Sequence, residues 1–429
     1  MIQVHRPSFQ LNPRSIKKLI SFQFYYVLLF SVLIEYFKLP TTITYITDIV
    51  NLIILVYLLY YKRKSEAIVA LNMGVTITCI FILFVVTLFT AAMNMVKPTL
   101  VIWSARNYLR FFPYFISTVV FEDQAGLDRK FHFLLNLQKL NLVLTLYQFF
   151  VMNLSADYLG GIFGTAKGCN GYTNIFLCII TIYSLFAYSD AKKIRMIDLV
   201  VTLISCLVVA AMAELKVFFL ELVVIFLLYF LLSRGSLRKV VVIVSSVLAV
   251  YIGLMIFSAV FPQSMQFLTN IEGIMEYGTG TGGGYSLGRI GAYGNINRLI
   301  FHDDLMLNLF GLGFGNCEYS SFPMFTSAFY NSYGYLNYRW FTNQIWFLQC
   351  GYLGIIAYLA VIVSIFIWNI RNISIKGTNQ NLFCNLSIVF SVILFIMFFY
   401  NQTCSIEISY VAFYVLASSF VACRSANEK

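Results

Sequence analysis

Apolar residues run almost unbroken for about twenty positions at a time along this chain, and short polar turns separate the runs. Such a run, wound as a helix at roughly 1.5 Å per residue, spans the hydrocarbon core of a bilayer. The runs predict helices near 17–37, 43–61, 67–93, 98–121, 131–152, 173–189, 195–213, 216–233, 240–261, 343–368, 382–400 and 405–423. Strands of a membrane barrel would instead alternate polar and apolar residues over about ten positions. The expected fold is all-α: a single polytopic transmembrane bundle of about twelve spans covering 1–429, with one large extracytoplasmic loop at 262–342 between spans nine and ten.

Composition agrees with lipid as the main solvent. The chain is 60% hydrophobic and 11% charged, with a mean hydropathy of +0.81, whereas soluble proteins carry roughly 25% charged residues. Its first apolar run has no small-residue cleavage site and reads as a first span. The net charge of +11 brings nucleic acid to mind, but the cations are scattered through short inter-helix turns and form no basic domain. They sort by side. With both termini cytoplasmic, the inner segments hold Arg6, Arg14, Lys17, Lys18, Lys62, Arg63, Lys64, Arg129, Lys130, Lys192, Lys193, Arg195, Arg234, Arg238, Lys239, Arg371, Lys376, Arg424 and Lys429. That asymmetry orients a multi-pass protein in the cytoplasmic membrane. Of the nine cysteines, Cys79, Cys178, Cys206 and Cys350 fall inside apolar runs as small hydrophobes. Cys169 and Cys317 fall in outer segments, where a bridge is the minor alternative to two free thiols.

Ten cations are left over: Lys38, Lys97, Arg106, Arg110, Lys139, Lys167, Lys216, Arg289, Arg298 and Arg339. A charge at mid-bilayer costs about 3 kcal/mol unless it has a partner or a wet cavity. Arg106 and Arg110 stand four apart in the fourth run. They read as a cationic stripe lining a cavity, as snorkelling arginines, or as a structural pair with carboxylates such as Glu122 or Asp123. Lys216 opens the eighth run beside Glu214; it reads either as an interfacial anchor or as part of an anion site at a helix start. Arg289 and Arg298 lie in the long loop, either solvated or aimed at phosphate, whose oxygens suit the guanidinium fork.

The long loop starts at Pro262, is rich in aromatics (Tyr277, Tyr285, Tyr293, Phe314, Tyr319, Trp340), and reads as an ordered cap of short helices. Its Gly278–Gly284 stretch lacks the phosphate-loop pattern and reads as a flexible turn. Its Gly311-Leu312-Gly313-Phe314-Gly315 segment reads as a tight turn, or as backbone brought close to a ligand. Candidate bases on the outer side are His302, Asp303, Asp304, Glu272, Glu276, Glu318 and Glu214, most of them expected to be merely solvated. No group of residues has metal-ligand spacing, so neither a metal nor another cofactor is expected.

Four segments resemble the O-antigen and capsular polysaccharide polymerases (Wzy type) of the superfamily that also holds the O-antigen ligases. They are ARNYLRFF from Ala105, DYLGGIFGTAKGCNGYTN from Asp157, AELKVFFLEL from Ala213, and LGRIGAY with LMLNLFGLGFGN and TNQIWFLQCGYLG across the long loop. The ligases carry His next to Asn at the start of the span after that loop. Here the pair reads Thr342-Asn343, which leaves the base unassigned.

The resemblance implies a GT-C-like, metal-independent membrane glycosyltransferase. Its donor and acceptor would be polyprenyl-pyrophosphate-linked repeat units, and its other partners would be the bilayer and a chain-length regulator. In that reading Lys216, Arg289 and Arg298 neutralise the departing pyrophosphate, and Arg106, Arg110 and Asn343 bind substrate. His302, Asp303 or Glu214 would serve as base. Two rivals stay open: a ligase moving finished glycan, and a flippase or transporter of lipid-linked glycan. Transporters often show repeated halves, and none is evident here.

Overall fold

The structure, a computed structural model, describes residues 13–61, 64–233, 237–261, 287–289, 291–373 and 378–427. Pro262, Glu272, Glu276, Tyr277, Tyr285 and the Gly278–Gly284 stretch lie outside the described residues, as do Arg6, Lys62, Arg63, Arg234, Lys376 and Lys429. The described residues hold helices and no β-strand. In chain order the helices are α1 Pro13–Phe37, α2 Ile46–Tyr60, α3 Lys64–Ala70, α4 Gly74–Met93, α5 Pro98–Tyr108 and α6 Phe111–Phe121. They continue with α7 Gln124–Phe150, α8 Asn170–Ser189, α9 Met196–Met212, α10 Lys216–Leu232 and α11 Leu237–Val260. In the long loop stand α12 Ala292–Ile296, α13 Leu305–Phe310 and α14 Ala328–Tyr333, and the chain ends with α15 Thr342–Arg371, α16 Thr378–Tyr400 and α17 Ser409–Asn427.

Among the described residues six helical stretches are long and apolar enough to cross a membrane: Pro13–Phe37, Thr41–Tyr60, Gly74–Met93, Asn170–Ser189, Thr342–Arg371 and Asn379–Tyr400. Phe111–Phe121 and Met196–Met212 are apolar but shorter. The third and fourth apolar runs are each broken in two. In the third, Asn72 takes a left-handed φ of 51° between α3 and α4. In the fourth, Pro113 has no N–H to donate and its ring clashes with the carbonyl four residues back, at Leu109, where α5 ends.

Burial separates the helices into an inner and an outer set. The apolar window of α8 is 89% buried and that of α16 is 78%, against 28% for Thr41–Tyr60 and 33% for α4. Along α17, Tyr410 to Phe420 is buried throughout. α16 packs on α15, α17, α8 and α10, so the centre of the bundle is built from α8, α16 and α17. The outer helices expose rows of large apolar side chains, such as Ile49, Leu52 and Leu59 on α2 and Phe81 and Leu88 on α4. Water would penalise such rows, and lipid accepts them.

α15 is broken at Gly351, whose φ is +60° inside the helix. The break strands the carbonyls of Leu348 and Gln349, and the long loop supplies their donors: Leu312 N–H at 2.7 Å and Gly313 N–H at 3.0 Å. A Cβ on Gly351 would stand 2.4 Å from the Leu309 carbonyl, and one on Gly311 2.6 Å from the Cys350 nitrogen. The two chains therefore meet backbone to backbone. Gly311-Leu312-Gly313-Phe314-Gly315 is thus a tight turn serving a broken helix, and the backbone it approaches is that of α15. Gly315 N–H also donates to Gln349 Oε1 at 3.0 Å, while Gln349 Nε2 donates to Glu318 at 2.8 Å.

Candidate functional site

A cavity of about 440 Å³ opens at the end of the bundle where the long loop sits. Four separate parts of the chain wall it: the 156–174 segment leading into α8, the turn from α9 into α10, Arg289 with Trp340 and Phe341 of the long loop, and the 400–406 turn between α16 and α17. Each wall is fixed by local bonds. Gly168 N–H donates to the Asp157 carbonyl at 2.9 Å, and Asn170 Nδ2 donates to Asp157 Oδ1 at 2.9 Å. The α9–α10 turn is tight because Glu214 takes a left-handed φ of 52°, which sets Lys216 at the first position of α10. Thr342, opening α15, donates to the Asn401 carbonyl from both N–H (2.9 Å) and Oγ1 (2.8 Å), and so pins the 400–406 turn.

Lys216 and Arg289 line this one cavity although they come from distant parts of the chain. Lys216 Nζ is 3.1 Å from Glu214 Oε1, and both side chains are about one-fifth exposed. The guanidinium of Arg289 lies over the rings of Phe341 and Tyr400, 5.1 Å and 5.0 Å from their centroids. The two residues before it are anchored: Gln344 Nε2 donates to the Gly288 carbonyl at 2.6 Å, and Asn295 Nδ2 to the Leu287 carbonyl at 3.0 Å. A third cation, Lys167, lines the cavity with its ammonium 5.7 Å from the Trp340 ring centroid. Among the described residues, three cations against two carboxylates, Asp157 and Glu214, suit an anionic ligand. Trp340, Phe341 and Tyr400 supply flat apolar faces beside them.

Arg106 and Arg110 come together elsewhere. Arg106 Nη2 and Arg110 Nη1 each reach Asp48, at 2.7 Å, and Arg110 Nη2 reaches Glu407 Oε1 at 3.0 Å. Tyr172 donates its hydroxyl to Glu407 Oε2 at 2.7 Å. The carboxylates expected as their partners are used elsewhere, since Glu122 pairs with Lys130 at 2.5 Å and Asp123 pairs with Lys17. The Arg106–Arg110 network stands directly behind the cavity. Gly171 and Ile406 line the wall, and their neighbours Tyr172 and Glu407 belong to the network.

The remaining expected residues are dispersed. Arg298 is exposed on a π-helical turn, Asn297–Phe301, and does not line the cavity. His302 and Asp303 are exposed with left-handed φ of 52° and 62° and are not among the lining residues; Asn297 Nδ2 donates to Asp303 at 2.5 Å. Asp304 caps α13 through Met306 N–H. Asn343 is buried on the protein-facing side of α15 and is not among the lining residues. Among the described residues, Glu214 alone of the expected bases lines the cavity; Glu272 and Glu276 lie outside them.

Glu318 departs from its expected solvated state. It is fully buried and accepts from Ser104 (3.1 Å), Asn107 (2.8 Å) and Gln349 (2.8 Å). Cys169 and Cys317 are both buried free thiols. Burial pushes the Cys169 thiol up to about 12 and raises that of Cys317 well above its usual range.

Sequence reasoning missed Asp157, Tyr400, Asp48 and Glu407 as site residues, whereas Trp340 was already among the aromatics singled out in the long loop. Asp48 and Glu407 were open to the same treatment as the cations, because each is an acid set in an otherwise apolar stretch. Among the described residues no group of three or more His, Cys, Asp or Glu is placed to hold a metal ion. No protein-family model and no curated protein matches the chain.

Proposed function

We propose that this chain is a twelve-span glycosyltransferase of the cytoplasmic membrane with both termini inside. It extends a surface polysaccharide by transferring polyprenyl-pyrophosphate-linked repeat units at the outer face. The supporting observation is that Lys216 and Arg289 share one cavity with Trp340, Phe341 and Tyr400. A departing lipid pyrophosphate needs fixed positive charge where its own charge develops. Arg289 offers a fork for two phosphate oxygens, and Lys216 offers a compact charge at a helix start, where the backbone N–H groups favour anions. The aromatic faces suit the apolar faces of sugar rings. Arg106 and Arg110, locked to Asp48 and Glu407, hold the wall in place and so serve substrate binding from behind it.

The test is the lipid-linked material that accumulates in cells lacking the protein. Single lipid-linked repeats on the outer leaflet are expected. Full-length lipid-linked polymer would instead indicate a ligase, and single repeats confined to the inner leaflet a flippase.

A further inference from the structure

The proposed transfer leaves one proton without a destination. The acceptor oxygen bonds to the anomeric carbon of the donor as the bond from that carbon to the pyrophosphate oxygen breaks. The bonding electrons leave with the pyrophosphate, and the acceptor hydroxyl must give up its hydrogen to a base within about 3 Å.

Among the described residues two carboxylates line the cavity, Asp157 and Glu214. Glu214 is held at 3.1 Å by Lys216, the cation assigned to the donor phosphate, so it is already committed to the donor wall. Two further carboxylates stand close behind the wall. Glu407 is engaged by Arg110 and Tyr172. Glu221 is buried beneath Asn174, which donates to it at 2.9 Å. Asp157 differs from all three. It is exposed to the cavity, and its bonding partners are the neutral groups of its own loop: Asn170 on its side chain, Gly168 and Cys169 on its carbonyl. Charged groups near this loop include Lys167, over Trp340, and Glu35 of α1, which acts on Cys169. The loop thus presents a carboxylate held by Asn170, in the cavity that Trp340 also lines, on a wall separate from the Lys216 and Arg289 walls.

On the strength of the proposed function, we infer that Asp157 is the catalytic base that takes the acceptor hydroxyl proton, with Trp340 and Lys167 forming the acceptor-sugar face. Removing a positioned base lowers turnover by about 100-fold or more.

The experiment uses full-length protein in proteoliposomes, supplied with single lipid-linked repeats extracted from cells lacking it. Geranyl pyrophosphate serves as a separate probe of the donor site. Asp157→Asn preserves the acceptance of the Asn170 hydrogen bond. It is expected to lose about 100-fold in kcat with little change in KM, to lose the acid limb of the pH–rate profile, and to bind geranyl pyrophosphate like the wild type. Glu214→Gln is expected to keep the acid limb. An Asp157→Asn rate within threefold of wild type, or an acid limb that disappears in Glu214→Gln instead, would overturn the assignment while leaving the proposed function standing. Wild-type protein that binds geranyl pyrophosphate no better than Lys216→Ala, and elongates nothing, would remove both.

Discussion

Arg289 lies over two aromatic rings with the two residues before it anchored by Gln344 and Asn295, so its guanidinium is directed before any ligand arrives. A lysine would keep the charge but lose the planar fork and the stacking. Arg289→Lys is therefore expected to retain under a tenth of wild-type elongation; near-normal ladders on a polysaccharide gel would show that charge alone suffices. The thiols make a second residue-scale prediction. A thiol whose titration is pushed up to about 12 is almost entirely protonated at pH 7.5, and the thiolate is the reactive form. Cys169 and Cys317 are expected to stay unlabelled by a membrane-impermeant thiosulfonate at that pH in the folded protein. Rapid, stoichiometric modification would contradict their burial.

Legibility was uneven at this scale. Lys216 and Arg289 stood out because isolated cations in an apolar chain are conspicuous. Asp157 did not, because its meaning depends on a loop whose hydrogen bonds only the fold reveals. The state of Glu318 was equally hidden: Ser104, Asn107 and Gln349 come from two helices remote from it in sequence.

Helices were the more readable level. Continuous apolar runs set their positions, but the fourth was expected unbroken over 98–121, and the break that the chemistry of Pro113 enforces there went unread. The break in α15 was not readable, because a glycine inside an apolar run is common and the loop that answers it is remote in sequence. That junction is testable. Gly351→Ala places a Cβ 2.4 Å from the Leu309 carbonyl at a φ of +60°, so steric and backbone strain act together. A loss of about 3 kcal/mol or more is expected, read as a lower melting temperature in detergent; unchanged melting would mean the close approach is absent. The ion network joining α2, α5 and the α16–α17 turn predicts a comparable effect. Glu407→Gln leaves Arg110, whose side chain is 4% exposed, without one of its two carboxylates. Stability should fall by about 3 kcal/mol, and pyrophosphate binding should weaken with it as the cavity wall loosens.

At the scale of the whole molecule, sorted charges and exposed apolar rows describe a protein solvated by lipid, with its cavity at one end. The proposed orientation rests on the charge asymmetry. Alkaline phosphatase fused after Tyr333 is expected to be exported and active, and fused after Arg371 to be inactive; the reverse pattern would invert the proposed topology and put the cavity on the wrong side for surface polymer.

The central claim is that Lys216 and Arg289 together run polymer extension from that cavity. The most direct measurement is the chain-length distribution of surface polysaccharide in cells whose only copy carries Lys216→Ala or Arg289→Ala, with membrane levels of each variant matched to wild type. Collapse of the ladder to single repeats in both is the predicted result. Polymer of normal length and amount in both would contradict it.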